Sequence, residues 1–186
     1  MIIALTSARE NSIRLYRKEL NKIGDKFVIE YTLEQMEACN LFDIRIMSTD
    51  WIELIELMKD KYPSIMFLER PKRLAQADTP AQEYIIHALE LYKNGNHTFC
   101  LLQSTSPLRS LDLIYDTFSK FTKDYNSCFT INKYTLQPDG QIYWFKDIYN
   151  IWKEPCLPIF CEPSVDLDYP SDLGIANYLV RGLDKN

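Results

Sequence analysis

The 186-residue chain carries 21 Lys and Arg against 26 Asp and Glu, a net charge of −5, with 46% hydrophobic and 25% charged residues. That balance suits one soluble domain over 1–186 with a sizeable core, and it argues against a general binder of nucleic acid or of anionic membranes. No apolar run approaches the ~20 residues of a membrane helix, no secretory pattern opens the chain, and the five dispersed cysteines form no C-x-x-C, so reduced thiols and a cytoplasmic location are expected.

Short apolar runs alternate with helical patterns along the chain. A strand is predicted over 2–6, and after it comes a basic loop with Arg9, Arg14, Arg17 and Lys18. A helix over 28–39 and a strand over 43–48 follow. The next helix, 51–61, sets Ile52, Ile55 and Met58 at helical spacing. A strand over 65–68 precedes a helix over 80–92 that starts near Pro80. Then come a strand over 98–102, a helix over 111–121 and a strand over 127–131. The tail changes character: a turn at 138–140, short strands at 141–145 and 157–161, and a final helix over 169–180. This β-α alternation predicts an α/β domain, its sheet mostly parallel with helices on both faces.

In such sheets ligands bind beyond the carboxyl ends of the strands. Polar clusters fall at those ends: the opening loop, Ser48-Thr49-Asp50, and the run from Gln103 to Arg109. A fourth, Val165-Asp166-Leu167-Asp168, lies between the last strand and the last helix. Each also has a structural reading. Thr49 and Asp50 suit a helix N-cap, Arg109 a solvated arginine, and Asp166 with Asp168 a capping turn. His87 and His97, the only histidines, sit in no metal spacing, which leaves a His-based triad little to work with.

Taken in order, these clusters are recognisable. They are Ala8-Arg9-x-Asn11-Ser12-x-x-Leu15-x-x-Lys18; Ser48-Thr49-Asp50; Arg70-Pro71 with Asp78-Thr79; Leu101-Leu102-Gln103-x-Thr105-Ser106-Pro107-Leu108-Arg109; Asp139-Gly140-x-Ile142-Tyr143; and Asp166-x-Asp168. The order resembles the acylneuraminate cytidylyltransferase family, which makes CMP-activated sialic and related nonulosonic acids and has the CMP-Kdo synthetases as relatives. The resemblance runs from Ile2 to about Ala176. It implies a Rossmann-like nucleotidyltransferase fold, with CTP and an acidic sugar as substrates and Mg2+ as cofactor. In such a reaction the sugar hydroxyl attacks the α-phosphate and pyrophosphate leaves, so catalysis is mostly charge neutralisation and in-line positioning.

Carried over residue by residue, Arg9 and Lys18 match cations that offset charge on the leaving pyrophosphate. Ala8, Asn11, Ser12, Arg70, Asp78 and Thr79 match the nucleotide side of the site. Gln103, Thr105, Ser106 and Tyr143 match the sugar side. Asp166 and Asp168 match the pair that holds magnesium, with Asp168 counted among the catalytic residues beside Arg9 and Lys18. The pattern also departs from the family. Ile13 stands for a lysine, Tyr16 for a proline, Glu19 for an asparagine and Asp139 for another asparagine. The long insert that forms the family's dimer arm is reduced to 132–138, so the usual dimer is expected to be missing or built differently. These departures keep open a non-catalytic relative that binds a nucleotide or a partner protein. A metal-dependent glycosyltransferase, where Asp-x-Asp also occurs, fits the Gln-x-Thr-Ser-Pro-Leu-Arg run less well.

Overall fold

A computed structural model describes residues 1–183; the last three residues of the predicted domain lie outside them. The strands of the main sheet are β1 (Ile2–Ala8), β4 (Ile44–Thr49), β5 (Met66–Glu69), β6 (Thr98–Leu102), β7 (Ser127–Asn132), β8 (Pro138–Phe145) and β9 (Cys156–Cys161). Two further strands, β2 (Lys22–Ile23) and β3 (Lys26–Phe27), form a separate hairpin turned by Gly24 at φ 59°. The helices are α1 (Val28–Ala38), α2 (Ile52–Met58), α3 (Ala81–Leu89), α4 (Leu111–Lys120) and α5 (Pro170–Leu183).

The sheet order is β5-β4-β1-β6-β8-β7-β9. Pairs β1–β4, β1–β6, β4–β5 and β7–β9 are parallel, while β8 runs antiparallel to both neighbours. The reversal follows from chain length: only 133–137 separate β7 from β8, too few residues for a parallel crossover. β1 lies at the centre, and Ile3, Ala4, Leu5 and Thr6 are wholly buried, as a strand covered on both faces must be. One face packs Ile29, Leu33 and Met36 of α1, Leu54 of α2 and Ile114 of α4 around Trp144. The other packs Ile85, Ala88 and Leu89 of α3 against Ile3, Leu5, Leu101 and Phe145. The buried Trp144 Nε1 donates to Thr117 Oγ1 at 2.8 Å, which satisfies the indole and ties α4 to the sheet.

Local chemistry sets the helix starts. Ser110 caps α4 by accepting from Leu113 N at 3.1 Å. Glu30 accepts from Phe27 N at 2.8 Å at the head of α1. Ahead of α5, Asp172 accepts from the backbone N–H of Asp168 and of Tyr169 at 2.8 and 2.6 Å. The capping role is therefore held by Asp172, which leaves the Asp168 carboxylate for other partners. Thr49, the expected cap of α2, instead accepts from Trp51 N at 3.1 Å, one residue before the helix. The 138–140 segment is not a separate turn. It opens β8, with Pro138 at the strand start where its missing N–H costs no ladder bond.

Candidate active site

The chain order changes direction at β1, which lies between β4 on one side and β6 on the other. The loops leaving β1, β4, β5 and β6 therefore splay apart at one sheet edge and open a crevice. A cleft of about 290 Å³ occupies it. The loop after β1 runs along one wall and re-enters the protein through Arg17, whose φ of 47° is left-handed. That conformation is costly for a residue with a Cβ. It is held by an ion pair to Glu53 at 3.0 Å and by the Trp51 ring, 5.1 Å from the guanidinium carbon. The turn at Arg17 carries Lys18 and Glu19 inward, and both are buried.

Lys18 Nζ and Arg14 Nη2 each meet Asp168 Oδ1 at 2.8 Å. Ile13 and Arg14 both line the cleft, and with Ile13 apolar and 75% exposed it is Arg14 that brings a cation to this wall. Asp166 lies on the same wall and bonds to Thr105; its burial holds the carboxyl above its ordinary range, and Asp168 beside it adds to the rise. Leu167 N donates to Thr105 O at 2.8 Å, so the loop after β6 positions the Asp166–Asp168 segment directly.

Across the cleft, Arg70 is buried at the end of β5. Its Nη2 donates to Ala8 O at 2.7 Å and lies 3.9 Å from Asp50 Oδ1, while the Tyr84 ring sits 5.0 Å from the guanidinium carbon. Asp50 also accepts from Glu10 N at 3.1 Å. Arg9 Nη1 donates to Gln76 O at 3.2 Å, which brings the 70–79 loop over the opening. Thr79 lines the cleft and donates from its hydroxyl to Arg73 O at 3.1 Å.

The floor comes from the loop after β6. Gln103, Ser104 and Thr105 line the cleft, and Arg109 holds them from beneath. Arg109 is 4% exposed, so it is no solvated arginine. It donates to Gln103 O and to Gln35 Oε1, and Gln35 Nε2 returns bonds to Pro107 O and Arg109 O, each at 2.8 Å. Burial lowers the Arg109 pKa to about 10, which still leaves it charged at neutral pH. Gly140 of β8 presses on the same loop, since a Cβ there would come within 2.8 Å of Gln103 Oε1, and its φ of 76° disfavours any side chain. Gly140→Ala is expected to displace Gln103 and to cost about 1–2 kcal/mol. A thermal melt checks this; an unchanged midpoint would show that the contact is soft.

Of the residues named from sequence, Ala8, Arg9, Ser12, Lys18, Arg70, Thr79, Gln103, Thr105, Asp166 and Asp168 line this cleft. Four do not. Asn11 and Asp78 are exposed outside it, and Ser106 is buried behind Gln103. Tyr143 packs edge-on against Trp152 at 5.4 Å between ring centroids. Sequence reasoning passed over Tyr84, Ser104 and Gln35. Ser104 sits inside the quoted run, whereas Tyr84 and Gln35 carry no local signal, because only the packing of α3 and α1 brings them to the loops.

The arrangement pairs a cation-bearing loop with two carboxylates across one strand edge, which suits a phosphorylated ligand. A family model for cytidylyltransferases matches residues 3–156. The chain belongs to the cytidylyltransferase family. Among curated relatives, an N-acylneuraminate cytidylyltransferase of Escherichia coli is 34% identical over 126 residues, covering 64% of this chain and 29% of that protein. A pseudaminic acid cytidylyltransferase of Campylobacter jejuni is 26% identical over 125 residues, covering 66% and 53%. These matches thus take in about a third to a half of the relatives' length. Among solved structures, a CMP:2-keto-3-deoxy-manno-octonic acid synthetase complexed with CTP superposes with a TM-score of 0.76 at 11% identity, covering 98% of this chain and 99% of that one. A 4-diphosphocytidyl-2C-methyl-D-erythritol synthase from Anaerococcus prevotii gives 0.74 at 14%, covering 97% and 96%. These establish the expected nucleotidyltransferase fold.

Proposed function

We propose that this cytidylyltransferase transfers CMP from CTP to an acidic sugar of the nonulosonic class and releases pyrophosphate. The observation that carries the reading is the convergence of Arg9, Arg14, Lys18, Asp166 and Asp168 on one cleft at the switch point of the sheet. Guanidinium and ammonium groups there would bind the triphosphate and offset charge on the departing pyrophosphate. The sugar hydroxyl oxygen would attack the α-phosphorus as the bond to the bridging oxygen of the β-phosphate breaks. Gln103 and Thr105, held from below by Arg109, would orient that sugar. Ser106, and Tyr143 on its aromatic support, would back this side of the site. Ala8, Ser12, Arg70 and Thr79 would contact the nucleoside and its phosphates, with Asn11 and Asp78 able to reach only from the rim.

Asp166 and Asp168 suit a magnesium ion, which is commonly bound through one or two carboxylates together with substrate phosphates. Magnesium bound there would add charge neutralisation to that of the cations. Asp168 pairs with Lys18 and Arg14, and nucleotide binding would exchange those ion pairs for contacts to phosphate. The sequence departures that favoured a non-catalytic relative are compensated here: Arg14, next to Ile13 on the cleft wall, supplies a cation, and Glu19 is folded under Ser104. The test is a pyrophosphate-release assay with each nucleoside triphosphate against N-acetylneuraminic, pseudaminic and 2-keto-3-deoxy-manno-octonic acids. Release with CTP and one of these sugars is expected; release with another nucleotide alone would refute the assignment.

A further inference from the structure

Glu19 is the residue in the cleft that the proposed chemistry least needs. A carboxylate there would face an incoming triphosphate, yet the side chain is buried and built into the floor. Its Oε1 lies 3.3 Å from Ser104 Oγ, while the same hydroxyl lies 2.9 Å from the carbonyl oxygen of Ser7. A serine hydroxyl has one proton to give. The Ser7 carbonyl can only accept, and it is the closer partner, so it takes that proton. Ser104 Oγ then meets Glu19 as an acceptor, and the two oxygens attract only if Glu19 carries a proton. Glu19 lines the cleft, and its buried Oε2 makes no hydrogen bond to another residue.

From these contacts we infer that Glu19 is a neutral carboxylic acid in this site, donating from Oε1 to Ser104 and offering Oε2 as an acceptor to the bound nucleotide. The ligand half of the inference rests on the CTP reading above. An acceptor cannot bind an ionised phosphate, so the donor it takes belongs to the nucleoside: a ribose hydroxyl or the cytosine amino group. The groups facing Glu19 are Arg9 beyond β1, Lys18 on its own turn and Arg70 beyond β5. From β6 it meets Ser104, and α3 sets Tyr84 beside Arg70. Glu30 of α1, packed behind the turn, is engaged by Lys61 and Tyr62 instead. Burial is the largest influence and holds the carboxyl above its ordinary value, outweighing the backbone N–H of Glu19 itself and the charges of Lys18 and Arg9, which favour the ionised form. A glutamate that stays protonated places no negative charge against the triphosphate and reproduces the shape and donor–acceptor pattern of an amide.

Two variants test this. Glu19→Gln should copy the neutral acid, with its amide N–H on Ser104 and its carbonyl toward the nucleotide; Glu19→Met removes both. In the empty protein, the wild type should lose stability relative to Glu19→Gln as pH rises from 4.5 toward the raised native value. The sign follows because the folded acid keeps a proton that the unfolded chain releases. In CTP titrations followed by calorimetry, Glu19→Gln should bind within a few-fold of wild type at pH 6. Glu19→Met should bind on the order of tenfold more weakly, with pyrophosphate affinity unchanged. Above the native pKa, wild-type affinity for CTP should fall relative to Glu19→Gln by at most about tenfold per pH unit. A melting difference that does not change with pH would overturn the neutral acid. Glu19→Met binding CTP as wild type does would overturn the acceptor role. If wild type binds no CTP, the function proposed above fails, and the melts still decide the protonation of Glu19.

Discussion

Asp168→Asn is expected to reduce pyrophosphate release by on the order of 10²–10³-fold or more while leaving the fold intact. Asp168 Oδ1 is the meeting point of Lys18 and Arg14, each at 2.8 Å. Lys18 is nearly inaccessible and Arg14 about half exposed, so the carboxylate holds one buried cation and one from the loop in a single arrangement. The amide keeps the shape but carries no charge, which leaves two like charges side by side and removes one carboxylate from the proposed magnesium pair. Backbone order should survive, because Asp172 rather than Asp168 supports the head of α5. Circular dichroism near wild type with turnover lost is the expected result. Turnover within a few-fold of wild type would remove Asp168 from the reaction.

Arg70→Leu should act on stability first. Arg70 is 4% exposed, donates to Ala8 O, pairs with the buried Asp50 and stacks on Tyr84. Leucine would leave the Asp50 carboxylate buried without its cation, a change that typically costs about 3–5 kcal/mol. For a chain of this size that corresponds to a fall of roughly 6–20 °C in melting temperature. Arg70→Lys should recover only part of the loss, since an ammonium cannot match the planar stacking on Tyr84. CTP binding should weaken in both, because the Ala8 carbonyl that Arg70 fixes ends β1 just before the loop proposed to bind phosphate. A melting temperature unchanged in Arg70→Leu would mean that Asp50 is solvated in practice.

Much of this was legible in the chain. Strand and helix positions follow from apolar periodicity, so the structure shifts their ends by only a few residues; β6, Thr98–Leu102, falls where the sequence places it. Strand order at β1, β4 and β6 brings together the loops that the motifs marked. Other features depended on information that periodicity does not carry. The β2–β3 hairpin has strands of two residues, too short to show alternation. The direction of β8 depends on the shortness of the 133–137 connection, a signal that the alternation of elements obscured. Arg109 lies in a polar loop and looks solvated until Gln35 of α1 closes over it. For Glu19 the residue type suggests a charge that repels phosphate, and only its burial against Ser104 changes that sense.

The cleft between the loop after β1 and the Asp166–Asp168 segment is proposed to receive the triphosphate of CTP. The most direct test is a crystal structure of the protein with CTP and magnesium. The triphosphate is expected beside Arg9, Arg14 and Lys18, with both of the latter released from Asp168, and the nucleoside against Arg70 and Glu19. Nucleotide bound elsewhere on the chain, with the Lys18–Asp168 pair undisturbed, would contradict it.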